Sequence, residues 1–263
     1  AEHTVDVVLM FEQSETDVRF LRSTKNRFGS TDEIGLFTMT GQGLVELADP
    51  SSVFMVRRTG PTPAGAAVAV TWEGTRSLLV EIQALVVPGK ASLSRVYSDR
   101  IEAARVARVA AVLAKHVGIR LSDHDIYVNV AGGMRLAEPG IDLALAAALF
   151  SARTGLPLPA GVGLAGEASL AGEVRPVSRM SGRVRAVTAM GLTRVLGAPD
   201  LHEPVTARGG GGKPHKTAPE SAVHTGVVAA GGNAIVAEEW EQVSTVAGAV
   251  RALFGTVSDG QET

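Results

Sequence analysis

The chain has 263 residues, with 25 Lys+Arg against 27 Asp+Glu, a formal net charge of −2 and 45% hydrophobic residues. That fits one large or two modest globular domains, and near-neutral charge excludes a bulk polycation, so any contact with nucleic acid must come from local basic surface. With no cysteine, a disulfide framework and cysteine-based zinc or redox chemistry are excluded from this stretch, which fits a cytoplasmic setting.

No apolar run reaches ~18 residues, so no span across a membrane is expected. The first residues, AEHTVDVVLMF, lack the charged region and cleavage site of a signal peptide. They already read as a strand, as if the chain were cut from something longer. At 4% aromatic content, bulk has to come from many small apolar side chains, which suits Ala-rich helices lying close on a sheet.

Val5 to Phe11 is an apolar run with one acid, expected as a strand covered on both faces. Val18 to Leu21 and Ile34 to Met39 read as the next two strands, separated by the basic segment STKNRFGSTDE. Gly41 to Gly43 and Asp49-Pro50 mark turns, and RRTGPTPAG (57–65) is the best linker. Strands are expected over Ala66–Trp72 and Leu78–Val87, with Glu81 and Gln83 sharing a face.

An Ala-rich helix is expected over Asp99–His116 and a strand over Asp125–Val130. Pro139 opens an apolar helix that runs to Arg153, with Gly155 as its stop. Short strands at Val162–Ala165 and within Ser169–Arg175 come next. A helix over Val184–Met190 and a strand at TRVLGA then lead to residues 206–221, a Gly-rich surface loop. Val243, Val246, Val250, Leu253 and Phe254 recur at helical spacing and close the chain. The order of elements argues an α/β or α+β class.

No G-x-x-x-x-G-K-[ST] occurs, so this stretch has no P-loop. Gly209 to Lys213 (GGGGK) lacks the Ser/Thr and the strand–helix setting, and reads as linker. The six His show no metal-ligand spacing, and no metal site is expected, at His215 and His224 included.

Lys25-Asn26-Arg27-Phe28-Gly29 stands out. KNRFG, followed by DEIGLFTMTGQGLVELADPS, resembles the RadA/Sms family of bacterial DNA-repair ATPases with a RecA-like motor. The resemblance extends over the rest of the chain, whose second part is similar to that family's Lon-protease-like domain. It implies an α/β architecture. Residues 1–60 would be a C-terminal remnant of a RecA-like ATPase sheet and 61–65 a linker. Residues 66–263 would be a Lon-protease-like domain of the ribosomal protein S5 domain 2-like kind. It also implies that a zinc finger and the Walker A motif lie upstream.

Lys25 and Arg27 alternate on an extended segment, and their cations suit phosphate. The resemblance gives KNRFG a trans-acting role at a neighbouring subunit's nucleotide; the alternative is a solvated basic turn. ATP and Mg²⁺ would serve the full-length protein, with none bound by this stretch. DNA (single-stranded and branched), RecA and a homo-oligomeric, hexameric ring are the partners that the resemblance implies.

Lon-type proteases place a nucleophilic Ser in a G-P-S-A-G-like turn at a helix start and a Lys base on a later helix, after G-x-V-x-P. Here the turns read Glu138-Pro139-Gly140-Ile141-Asp142 and Gly172-Glu173-Val174-Arg175-Pro176, so Gly140 and Ser181 occupy the Ser and Lys positions. Glycine offers no nucleophile and serine no amine base. Losing such a nucleophile costs roughly 10⁶-fold in turnover. No catalytic residue is therefore expected in this domain.

DNA binding and ring assembly remain for it. Arg100, Arg105, Arg108 and Lys115 fall within an arc of about 140° at ~100° per residue. Residues 76–120 carry eight Lys/Arg against three acids. A basic stripe of this kind tracks phosphates without sequence preference; a solvated helix face is the alternative. Arg175, Arg179, Arg183 and Arg185 form a second, weaker basic group. Asp142 reads as complementing the helix dipole, with an intersubunit ion pair as the alternative, and Gly132-Gly133 as a turn.

The reading is a piece of an ATP-driven motor for branch migration in recombinational repair. A Lon-type Ser/Lys peptidase and a scaffold without DNA contact are the alternatives.

Overall fold

The computed structural model describes residues 4–13, 17–29, 31, 33–47, 51–56, 58–89, 95–198, 222–224 and 240–255. Four strands, β1 (Val7–Gln13), β2 (Val18–Asn26), β3 (Ile34–Thr40) and β4 (Gly43–Glu46), form an antiparallel sheet in sequence order. Alternation along β2 and β3 buries Val18, Phe20, Ile34 and Leu36 on one face, the period-two signature of a half-covered sheet.

β1 departs from expectation. It is an edge strand, with Leu9 59% and Phe11 54% exposed, rather than a strand covered on both faces. A continuous apolar run does not distinguish a central strand from an edge whose apolar side nothing among the described residues covers.

The short helix α1 (Ser51–Phe54) leads to the larger sheet. Its strands β5 (Ala66–Glu73), β6 (Arg76–Pro88), β7 (Val96–Ser98), β8 (His124–Val130), β9 (Val162–Ala165), β12 (Arg194–Gly197), β13 (Ala222–His224) and β14 (Trp240–Gln242) lie in the order β13-β14-β12-β9-β5-β6-β8-β7. The sheet is mixed, with β12 parallel to β9 and β14, and β6 antiparallel to β5 and β8. A separate two-stranded ribbon pairs β10 (Glu167–Ala168) with β11 (Val174–Arg175), two residues earlier than the expected start at Ser169.

Helices cover both faces. Ala67 and Ala69 of β5 join one core with α2 (Ala103–His116), α3 (Asp142–Thr154) and α5 (Val246–Phe254). Val70, on the opposite face of β5, joins a second core with Val187 of α4 (Met180–Ala189). This is the α/β class expected from the sequence. The small side chains of β5 allow α3 to lie close to the sheet, and residues 142–151 of α3 are all buried.

A helix buried all round can hold an ionised group only if that group is paired. Gly155, at φ 73, ends α3 in the left-handed cap that glycine adopts freely.

The two sheets share one core. Phe54 is fully buried and stacks on Phe20 at 5.9 Å between centroids. It lies over Gly132, where a Cβ would come within 2.5 Å of the Phe54 ring. Arg58 then grips the buried Glu81 through two bonds of 2.6 Å, and Arg22 reaches Glu73 at 3.1 Å.

One helix start is shifted: α2 begins at Ala103 rather than Asp99, whereas the expected helical segment from Val184 lies within α4. Asp49-Pro50, the Gly-rich loop at 206–221 with GGGGK, and His215 lie outside the described residues.

Candidate functional site

The turn that would hold a Lon-type nucleophile is a single 3₁₀ turn, Pro139–Ile141, running into α3. Gly140 is buried there, and a Cβ added to it would lie 3.0 Å from a Glu138 carboxylate oxygen and 3.3 Å from Val177. The Ser181 position falls in the first turn of α4.

Beside Gly140 stands an ion pair. Arg183 is fully buried and donates to both carboxylate oxygens of Glu138 through its two terminal nitrogens. Arg183 also donates to the Val70 carbonyl at 2.5 Å and the Ser178 carbonyl at 3.1 Å. Glu138 in turn accepts from the Thr71 hydroxyl at 2.8 Å and the Trp72 amide at 2.7 Å. Every polar atom here is engaged in holding β5, the 138–141 turn and α4 together. The arrangement is a clamp between these three elements.

Asp142 is fully buried one turn further on. It accepts from Arg105 and Arg108, each at 3.4 Å, and from the Ala168 amide at 3.3 Å. Burial pushes its carboxyl above the ordinary range, outweighing the opposing pull of Arg105, the Ala168 amide and Arg108. The partner of Asp142 is thus intramolecular, on α2.

This changes the expected basic stripe. Arg100 precedes α2, so helical spacing does not apply to it. Arg105 is turned in, donating to the Glu138 and Ala137 carbonyls at 2.8 and 3.0 Å. Arg108, although tied to Asp142, keeps 42% of its side chain exposed, and Lys115 is exposed.

KNRFG sits where β2 ends. Lys25 and Asn26 are its last residues, paired with Val8 and Val7. The Asn26 side chain accepts from the Phe28 amide at 3.0 Å, which turns the chain out of the sheet. Lys25 donates to the Val5 carbonyl at 2.6 Å, and Arg27 pairs with Asp6 at 3.0 Å. The two cations thus reach the same neighbouring segment. Arg27 is 67% exposed and Phe28 80% exposed.

Sequence reasoning missed Glu138, Arg183, Thr71 and Trp72 as one network, and Glu81 with Arg58 as another. Asp142 carried a usable signal, since an acid in a helix apolar all round needs a cation. Arg183 carried none, because one arginine in a run of four gives no sign of facing inward. Among the described residues no group of His, Asp or Glu could hold a metal ion, and no helix is long and apolar enough to cross a membrane.

A family model for the Lon protease (S16) C-terminal proteolytic domain matches residues 58–204. The DNA repair protein RadA of Treponema pallidum (strain Nichols) is 52% identical over 194 residues, 74% of this chain and 43% of that protein. Its counterpart in Brucella abortus (strain 2308) is 47% identical over 192 residues, 73% of this chain and 41% of that one. RadA of Mycobacterium tuberculosis (strain ATCC 25618 / H37Rv) is 43% identical over 206 residues, 78% of this chain and 42% of that one. The matched stretch therefore spans less than half the length of each relative. Together with the α/β fold built around the 138–142 turn, these matches place the chain in the RadA family of DNA repair proteins, with a Lon-protease-like domain over residues 58–204.

Proposed function

We propose that this chain is the C-terminal part of an ATP-driven DNA repair motor that promotes branch migration of recombination intermediates, and that its Lon-like domain binds DNA and builds a ring without cleaving peptides. The observation that supports this reading is the Glu138–Arg183 clamp, whose carboxylate would lie 3.0 Å from a Cβ at Gly140, the position that the resemblance matches to a peptidase's nucleophile. The chain has no P-loop residues to cradle phosphates. ATP with Mg²⁺ would be held by the remainder of the motor.

What this chain adds to that chemistry is charge in trans. Arg27 is held by an exposed ion pair, and such a pair contributes only about 0–1 kcal/mol. Its guanidinium exchanges Asp6 for a phosphate at little cost and matches phosphate in a bidentate fork. Lys25 and Arg27 both reach the Val5–Asp6 segment, so both would meet a neighbouring subunit's nucleotide from one side. A site completed by a neighbour demands a head-to-tail assembly that closes, for which a hexamer in the cytoplasm acting on RecA-made intermediates is the proposed form. On the Lon-like domain, Arg108 and Lys115 are the α2 cations exposed enough to meet DNA.

The test is Arg27→Ala, and separately Lys25→Ala, in the full-length protein. DNA-linked ATP hydrolysis should fall by roughly 10³-fold for Arg27→Ala, as for loss of an arginine finger, with the thermal unfolding midpoint unchanged. Wild-type hydrolysis in both variants contradicts the trans role.

A further inference from the structure

Arg22 stands where the smaller sheet meets the larger one. Its guanidinium donates to Glu73 at the end of β5 at 3.1 Å, lies 3.4 Å from Glu12 of β1, and sits 6.0 Å from the centroid of the Phe20 ring. Phe20 is the residue that stacks on Phe54, so the cation lies at the rim of the shared core. The Arg22 side chain keeps 30% exposure and that of Glu73 12%. A pair so far withdrawn from solvent is weakly screened, unlike the open pair of Arg27 with Asp6. Burial pushes the Glu73 carboxyl up, and Arg22 is the cation that opposes this.

Glu73 is itself held on the Lon-like side. It pairs with Arg76 across a tight hairpin loop, in which Gly74 has φ 62. The preceding Trp72 ties this hairpin to the clamp. Its amide donates to Glu138 at 2.7 Å, and its indole N–H to the Gly74 carbonyl at 2.7 Å. Contacts therefore run without a break from Glu138 through Trp72 and Glu73 to Arg22 of β2.

β2 carries that contact on to KNRFG through an irregularity. Val8 pairs with Lys25 but Leu9 with Ser23, so Thr24 is an extra residue, a β-bulge. Paired residues point to one side of a sheet. Val8 and Met10 share a side, hence so do their partners Lys25 and Arg22. The ladder goes on to Arg27, whose amide donates to the Asp6 carbonyl at 3.0 Å, and Arg27 falls on that side too. Strict alternation would have put Lys25 and Arg27 opposite Arg22. The bulge brings these cations to the side on which the Lon-like domain grips the strand.

We infer that Arg22 and Glu73 are a positioning pair, through which the Lon-like domain sets strand β2 so that Lys25 and Arg27 meet a neighbouring subunit's nucleotide. This rests on the trans role proposed above and names what holds that site in place. Arg22 acts through the strand and not on the nucleotide itself.

The experiment measures kcat and KM for DNA-linked ATP hydrolysis by the full-length protein, well below its unfolding midpoint. It compares wild type, Arg22→Gln, Glu73→Gln, the double variant, Arg22→Lys and Arg27→Ala, and follows particle mass in each. A displacement of about 1 Å far from the chemistry costs up to roughly 10²-fold in rate. Each Gln variant should therefore lower kcat by about 10- to 100-fold at wild-type particle mass. KM for ATP should stay near wild type, because charge supplied in trans acts in the transition state. The double variant should be no worse than the more affected single one, since either change breaks the same pair. Arg22→Lys keeps a cation for Glu73 and should restore part of the lost kcat.

Wild-type kcat in either Gln variant, or losses that multiply in the double variant, overturns the inference. A loss that accompanies dissociation of the assembly overturns it as well. If Arg27→Ala alone still abolishes most hydrolysis in those cases, the trans role survives. Wild-type hydrolysis by Arg27→Ala overturns both.

Discussion

Glu138 and Arg183 are the pair on which the local structure depends most. Removing one partner of a buried pair leaves the other uncompensated, at a cost of roughly 3–5 kcal/mol. Arg183→Ala should therefore lower unfolding stability by about that amount, measured by urea denaturation, since Glu138 retains only the Thr71 hydroxyl and the Trp72 amide. Glu138→Gln keeps an acceptor for the Trp72 amide and should cost less. Equal losses from the two would show that charge plays no part.

Asp142 predicts a pH effect of definite sign. Its folded carboxyl holds its proton more tightly than in the unfolded chain, because burial raises it. Stability from this group is thus full below the ordinary carboxylate range and is lost as pH rises through the raised folded value. Glu73, raised chiefly by burial against the pull of Arg22, acts in the same direction. Unfolding midpoints measured across mildly acidic pH should fall less steeply in Asp142→Asn than in wild type. An unchanged or steeper fall would contradict the assignment.

At the scale of elements, α1 and Gly132 couple the two sheets. Phe54 is fully buried in the core that joins β2 and β3 to β6 and β8. Phe54→Ala should cost roughly 3–5 kcal/mol, as large aromatic deletions in cores do. Gly132→Ala should destabilise as well, for the different reason that φ 72 and the Phe54 ring leave no place for a methyl group. If the two sheets fold independently, Phe54→Ala will split one denaturation transition into two; a single shifted transition is expected.

Most strands and helices were legible in the sequence because their signals are local. Alternation marked β8, Pro139 and Gly155 bounded the apolar helix, and helical spacing marked α5. Local patterning does not show where a side chain's partner comes from. It placed Arg100 and Arg105 on an outward stripe with Arg108 and Lys115, whereas Arg105 turns in to Asp142 and the 137–138 carbonyls, more than thirty residues away. The exposed edge at β1 was hidden for the same reason. That Gly140 has no side chain and Ser181 no amine was legible whatever surrounds them; that the Glu138 carboxylate lies beside Gly140 was not.

At the scale of the whole molecule, a net charge of −2 says nothing of where cations stand, and the fold sorts them. Arg58, Arg105 and Arg183 hold the structure together, whereas Arg27, Arg108, Lys115, Arg179 and Arg185 are exposed. That division is what a domain needs if it keeps a peptidase's framework while meeting a polyanion with its surface. The most direct test is binding of duplex DNA by this chain, followed as salt is raised from low to physiological concentration. Several phosphate contacts predict measurable affinity at low salt that drops by orders of magnitude over that range. No binding at low salt, or an affinity indifferent to salt, would contradict the proposed role of the Lon-like domain.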